Sequence, residues 1–234
     1  MARAARKQAP GHGPLDDAFA EALVRIIRGT DPEPPDSATR GRIVASARQV
    51  LARGFDGVHL DLEPVGDADP GYLDLLGALG PVVHAAGGVL SVSAEQVEPL
   101  PGTRWAMEAV EGHSSWWSES YLRQVASRVD QVALMTYDTA LWTPSAYSGF
   151  VRDETAVALG AVPANVALLI GLPAFHDAHS LEHSSSAETV AAAIRGVRLA
   201  LPAGTPTNRS VGVALYVDFA ATPADWAAYD SSWG

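Results

Sequence analysis

From residue 37 onward, apolar positions follow two alternating rhythms, one of helical spacing and one of short β-branched runs. Residues 38–53 carry Ile43, Val44, Ala47, Val50 and Leu51 at helical spacing, with Ser37 as candidate N-cap and Gly54 placed to end the element. A strand is predicted at 57–62. Asp69 before Pro70 marks the start of a second helix, which runs through Leu75, Leu76, Leu79 and Val83 to Gly87 and Gly88, and a strand follows at 89–94. A helix at 119–129 leads to a strand at 131–137, and a helix within 145–159 leads to a strand at 166–172. Ser185 with Glu188 reads as a capping box opening a helix through Val190, Ile194 and Val197. The last strand is expected at 211–217 and a short helix at 224–229.

This alternation is the signature of βαβ units around a parallel sheet. Ahead of it lie an amphipathic helix at 16–28 and a Pro-rich link at 30–36, which divide the chain into a poorly defined segment, 1–36, and a domain, 37–234. A closed eight-stranded barrel usually needs about 250 residues, whereas five βα units already occupy everything after residue 37. The expectation is therefore a partial barrel whose start is truncated or belongs to a longer chain. Its open sheet edges would invite self-association.

Composition narrows the functional classes. The chain has 234 residues, 47% of them hydrophobic and 18% charged, which suits one folded domain. Sixteen Lys and Arg against 27 Asp and Glu give a net charge of −11, and a field of that sign repels phosphate backbones. No nucleic-acid partner is expected. The absence of cysteine excludes disulfides, Cys-ligated zinc and thiol nucleophiles. No apolar run approaches the roughly 18 residues of a membrane span. Residues 1–13 carry Arg3, Arg6 and Lys7 with no apolar stretch after them, so no export signal is read and localisation stays open.

The chemistry concentrates at Asp56-Gly57-Val58-His59-Leu60-Asp61-Leu62-Glu63-Pro64. On a strand, His59, Asp61 and Glu63 share one face while Val58, Leu60 and Leu62 face the packing helices. Two neighbouring carboxylates at the carboxyl end of a parallel strand lie where such folds carry active sites, and their mutual repulsion raises one pKa toward that of a general acid. The same spacing also suits helix capping or ion pairs with arginines. Glu95, ending the strand at 89–94, is a further candidate for the pocket or for a capping role. Trp105, Trp116, Trp117 and Trp142 are candidate sugar-stacking faces, with packing as the alternative for each; Trp142 is the best placed. His176, His179 and His183 with Asp177 are read as a solvated loop rather than a metal site. No metal or cofactor is expected, and neither a Gly-x-Ser-x-Gly elbow nor a phosphate-cradling glycine loop is present.

The segment from Asp56 to Glu63 resembles the DGxDxDxE signature on the fourth strand of family 18 glycoside hydrolases, the chitinase and endo-β-N-acetylglucosaminidase group. Met135-Thr136-Tyr137-Asp138 is similar to that family's sixth-strand MxYD, and Gly171-Leu172-Pro173 to its seventh-strand turn. His59 stands where the family has Asp, and Tyr216 where its last strand usually ends in Trp. The resemblance implies an α/β, TIM (β/α)8-type fold, with the five units here as nominal strands 4 to 8. It also implies a glycosidase acting on a β-linked glycan of N-acetylated amino sugars by retaining, substrate-assisted hydrolysis. In that scheme Glu63 is the acid/base, Asp61 steadies the acetamido group and Tyr137 donates a hydrogen bond to it. Asp138, Tyr216, Trp142, His59 and Glu95 then belong to the substrate pocket. A non-catalytic, lectin-like barrel or an inactive fragment is the alternative.

Overall fold

A computed structural model describes residues 36–98, 116–176, 183–201 and 209–233. The expected helix at 16–28, nearly all of the link at 30–36, and Trp105, Asp177 and His179 lie outside the described residues. In chain order the elements are α1 (Ser37–Ala52), β1 (Gly57–Leu60), α2 (Pro70–Ala85), β2 (Val89–Ala94), α3 (Glu119–Ala126), β3 (Gln131–Leu134), α4 (Pro144–Ala161), β4 (Ala167–Pro173), α5 (Val190–Ala200), β5 (Val211–Tyr216) and α6 (Pro223–Ser232).

The five strands form one parallel sheet in the order β1-β2-β3-β4-β5. Sequential order is the winding of a βα barrel, because right-handed crossovers that always advance in one direction keep every helix on one face; a doubly wound sheet reverses direction partway. The burial pattern agrees. Leu60, Leu90, Val92, Leu134, Leu168, Ile170 and Leu172 are fully buried on the helix side, while His59, Ser93, Gln131 and Leu169 on the opposite face keep partial access to solvent. Gly57 lets β1 start close to β2, since a Cβ there would sit 2.2 Å from the Val89 carbonyl oxygen. No helix among the described residues is long and apolar enough to cross a membrane.

Several element ends differ from the sequence expectation for local reasons. Asp36 rather than Ser37 caps α1, its carboxylate accepting from the Thr39 N–H at 2.6 Å. Asp69 caps α2 with Pro70 in its first turn, as the sequence indicates. Thr143 and Pro144 open α4 ahead of the expected start. Thr189, not Ser185, caps α5, so the expected capping box does not form and Glu188 is left for another task. A capping box does form at Thr222 and Asp225, which starts α6 earlier and carries it past Tyr229. β1 ends at Leu60 rather than residue 62, and β3 at Leu134 rather than 137, each just before candidate site residues.

Candidate active site

Past Leu60 the chain leaves the hydrogen-bonded ladder, and Pro64, which has no N–H, could not have continued it. Asp61 and Glu63 nevertheless stay on one side and hydrogen-bond to each other. Two carboxyls in contact hold one proton between them. Burial, the hydrogen bond to Asp61 and the Asp61 charge, in that order, push Glu63 up to about 7. Burial works against ionisation of Asp61 as well, yet its carboxyl lies below the usual aspartate value while that of Glu63 lies above its own. The shared proton therefore sits on Glu63, a residue that remains open to solvent on one side.

A third carboxyl lies behind the pair. Glu95, at the end of β2, is buried and accepts the Val65 N–H at 3.2 Å. Burial and the charges of Glu63 and Asp61 push it up to about 8 against that hydrogen bond, so it is protonated at neutral pH. The loop it holds is fastened twice more: Trp117 donates its indole N–H to the Val65 carbonyl at 2.7 Å, and Asp67 accepts the Ser118 N–H at 2.7 Å. Trp117 is a core residue at 1% exposure rather than a sugar platform. Trp116 donates its indole N–H to Gln96.

On the polar face of the sheet, His59 is held between two serines of β2, Nδ1 2.8 Å from Ser91 Oγ and Nε2 3.1 Å from Ser93 Oγ. Ser91 in turn donates to Gln131 Oε1 on β3 at 2.9 Å. His59, Ser91 and Gln131 stand side by side in the register. Sequence reasoning missed Ser91, Ser93 and Gln131; the alternation within each strand marks their face, but only strand order places them beside His59.

The end of β3 supplies the opposite wall. Tyr137 is 8% exposed, and burial, followed by the nearby Glu63, Tyr216 and Asp61, raises its hydroxyl well above the ordinary value, so it stays a proton donor. Gly171 makes room for its ring: a Cβ there would lie 3.0 Å from the Leu134 carbonyl and 3.1 Å from Tyr137 Cε1. Tyr216, at the end of β5, stacks on Tyr137 with centroids 5.0 Å apart and planes at 6°, and Phe175 meets both rings edge-on. Tyr216 is 37% exposed, and Trp142, on the loop before α4, is 79% exposed. Both offer aromatic surface to solvent.

Asp138 adopts a left-handed conformation, φ 59°, which Asp tolerates better than most residues. The turn aims successive N–H groups at one point, and Glu188 fills it. Its carboxylate accepts from the Asp138 N–H at 2.7 Å and from the Thr139 N–H and hydroxyl at 3.0 Å each. His183 Nδ1 lies 3.3 Å from both Glu188 Oε2 and Asp138 Oδ1, and its ring stacks on Phe175 at 4.2 Å. This corrects the reading of His183 as part of a solvated loop: its side chain is fully buried, because the ring is packed and both flanking carboxylates are fixed. His176 instead pairs with Asp225 at 3.0 Å. Asp138, His183 and Glu188 bring ligand-capable atoms within 4.8 Å of one another, and the hydrogen bonds that Glu188 accepts brace the loop after β3. A groove of about 600 Å³ between α1 and α2, lined by Arg48, Leu51, Pro81 and Val82 among others, lies on the helix layer away from this chemistry.

No family model matches the chain, and no curated protein matches it. Solved structures do. A chitinase from Chromobacterium violaceum aligns with a TM-score of 0.57 at 17% identity, over 96% of this chain and 86% of that one. A class V chitinase from Pseudomonas fluorescens aligns with the same TM-score and identity, over 85% and 73% of the two chains. The spore cortex-lytic enzyme SleL of Bacillus megaterium gives 0.55 at 12% identity, covering 96% of this chain and 58% of its own. The fold of the described residues is thus similar to that of chitinases, as the motifs on β1, β3 and β4 implied.

Proposed function

We propose that the protein is a glycoside hydrolase that cleaves a β-linked glycan of N-acetylated amino sugars, with Glu63 as acid and base. The observation that carries the reading is the Asp61–Glu63 pair, which keeps a proton on Glu63 up to about pH 7 at the carboxyl end of a parallel strand. The resemblance to family 18 hydrolases supports a nucleophile supplied by the substrate itself, an exception to the two-carboxylate scheme. Glu63 gives its proton to the glycosidic oxygen as the bond to the anomeric carbon breaks, and the acetamido carbonyl oxygen forms a new bond to that carbon. The Asp61 carboxylate steadies the positive charge that develops on the acetamido nitrogen, and the Tyr137 hydroxyl donates to the acetamido oxygen. Glu63, now ionised, takes a proton from the water that opens the intermediate with net retention. Tyr216 and Trp142 serve as stacking faces, Asp138 as a wall contact, and His59 and Glu95 support the pair from behind.

The test is turnover of fluorogenic N-acetylglucosaminide oligomers by the parent and by Glu63→Gln. Turnover that falls about 10²-fold or more in the variant, with glycan binding retained, is the expected result. Equal cleavage by both removes Glu63 from its role. Binding with no turnover in either form supports a lectin-like barrel instead.

A further inference from the structure

His183 presents one ring nitrogen to two carboxylates at once. Its Nδ1 stands 3.3 Å from Asp138 Oδ1 and 3.3 Å from Glu188 Oε2. A charge-assisted hydrogen bond from imidazole to carboxylate closes to about 2.7–2.9 Å, and a single N–H points along only one such line. Two equal and longer separations suit a third body between the groups. Ligands bound about 2.0–2.1 Å from a tetrahedral metal stand about 3.3–3.4 Å from one another, which is the spacing of both histidine edges. The three ligand atoms lie within 4.8 Å of one another, and Asp138, its side chain 41% exposed, can swing inward to close the remaining edge.

The supports of a metal site are in place as well. The His183 side chain is fully buried and its ring is stacked on Phe175, with centroids 4.2 Å apart and planes at 30°. Glu188, equally buried, is aimed by the Asp138 N–H, 2.7 Å from Oε2, and by the Thr139 N–H and hydroxyl, each 3.0 Å from Oε1. Outer partners of this kind orient ligands, and a carboxylate oxygen that accepts one hydrogen bond keeps a lone pair for a cation. Two carboxylates and a neutral imidazole carry two negative charges, which matches a divalent ion. Imidazole beside carboxylates is the donor set of zinc and its transition-metal neighbours, whereas calcium and magnesium take oxygen. The exposed flank of Asp138 provides the entry path and room for a water ligand.

We propose that Asp138 Oδ1, His183 Nδ1 and Glu188 Oε2 form a binding site for a divalent cation of the zinc class, with water completing the coordination. The proposal departs from the sequence expectation that no metal is bound, and it stands independently of the hydrolase reading. Such an ion ties the turn after β3 to the segment ahead of α5.

The test is calorimetric titration of the full chain, stripped with a chelator, with Zn2+, and a parallel titration with Co2+, which absorbs visible light when held by protein ligands. The parent is expected to bind one equivalent of Zn2+ saturably and to gain a Co2+ absorption that Zn2+ abolishes. Asp138→Asn keeps the left-handed turn at φ 59°, since Asn tolerates it as Asp does, and His183→Phe keeps a ring against Phe175. Both variants are expected to bind Zn2+ about 10²-fold more weakly, and Thr139→Ala, which removes a support of Glu188 and no ligand, about tenfold more weakly. Zn2+ raises the unfolding midpoint of the parent and not that of Asp138→Asn. A parent without saturable Zn2+ binding overturns the proposal. So does an Asp138→Asn variant that binds Zn2+ as tightly as the parent, because the chain has seven histidines and the ion then sits elsewhere. Every readout is made without glycan, so failure of the turnover assay leaves the metal site standing.

Discussion

Glu63 and Glu188 are the same residue type, and both stand beside loops that leave the carboxyl end of the sheet, yet their neighbours give them opposite chemistry. Glu63 faces carboxyls: Asp61 in contact and Glu95 and Asp138 nearby, so the cluster retains a proton near neutrality. Glu188 faces donors, two backbone N–H groups and a threonine hydroxyl, with the His183 ring 3.3 Å away. A carboxyl among like charges becomes a source of protons, whereas one ringed by N–H groups becomes a strut. Identity does not decide which; the partners do.

The contrast can be broken most forcefully at the strut. Glu188→Ala leaves the Asp138 and Thr139 N–H groups without their acceptor and takes away an anion beside the buried His183. The expected cost is about 3 kcal/mol of stability by chemical denaturation, with turnover falling alongside it as the Tyr137–Asp138 loop relaxes. A variant as stable and active as the parent shows that the loop needs no brace.

A second carboxyl sharpens the comparison from the other side. Glu154, on α4, is fully buried, donates nothing to the site and accepts the Val97 N–H at 2.8 Å. Burial pushes it up to about 8. Its folded-state pKa is raised, so the stability it contributes is complete below about pH 4.5 and is lost as pH rises through 8. Glu154→Gln keeps an acceptor for Val97 but cannot ionise. Between pH 5 and pH 8 the parent is expected to lose on the order of 1–3 kcal/mol more than this variant, read from denaturation midpoints. Parallel curves refute the assignment.

The smallest effect is expected at the rim. Trp142 is 79% exposed, so Trp142→Ala leaves stability within about 0.5 kcal/mol of the parent. If its face stacks on sugar, KM for an oligomeric substrate rises several-fold while kcat holds. An unaltered KM removes it from the pocket.

The neighbouring Asp61 and Glu63 were legible in the chain because alternation is a local rule that puts His59, Asp61 and Glu63 on one side. So were the Asp69-Pro70 helix start and the parallel α/β class. Glu188 was misread for the complementary reason. Its local pattern with Ser185 satisfies a capping rule, but its partners are some 50 residues away, and a buried nest of N–H groups outcompetes an exposed helix end. Trp117 and Trp142 look alike in sequence and differ only in what covers them. Ser93 carries no signal of its own, because its meaning depends on strand register.

The loop that carries Glu63 is pinned at Val65 by Glu95 and Trp117 and at Asp67 by Ser118. On the hydrolase reading proposed above, an acid mounted on so stiff a bracket leaves the approaching ring to do the bending. Compounds already frozen in the bent shape would then meet this pocket with little conformational entropy left to surrender.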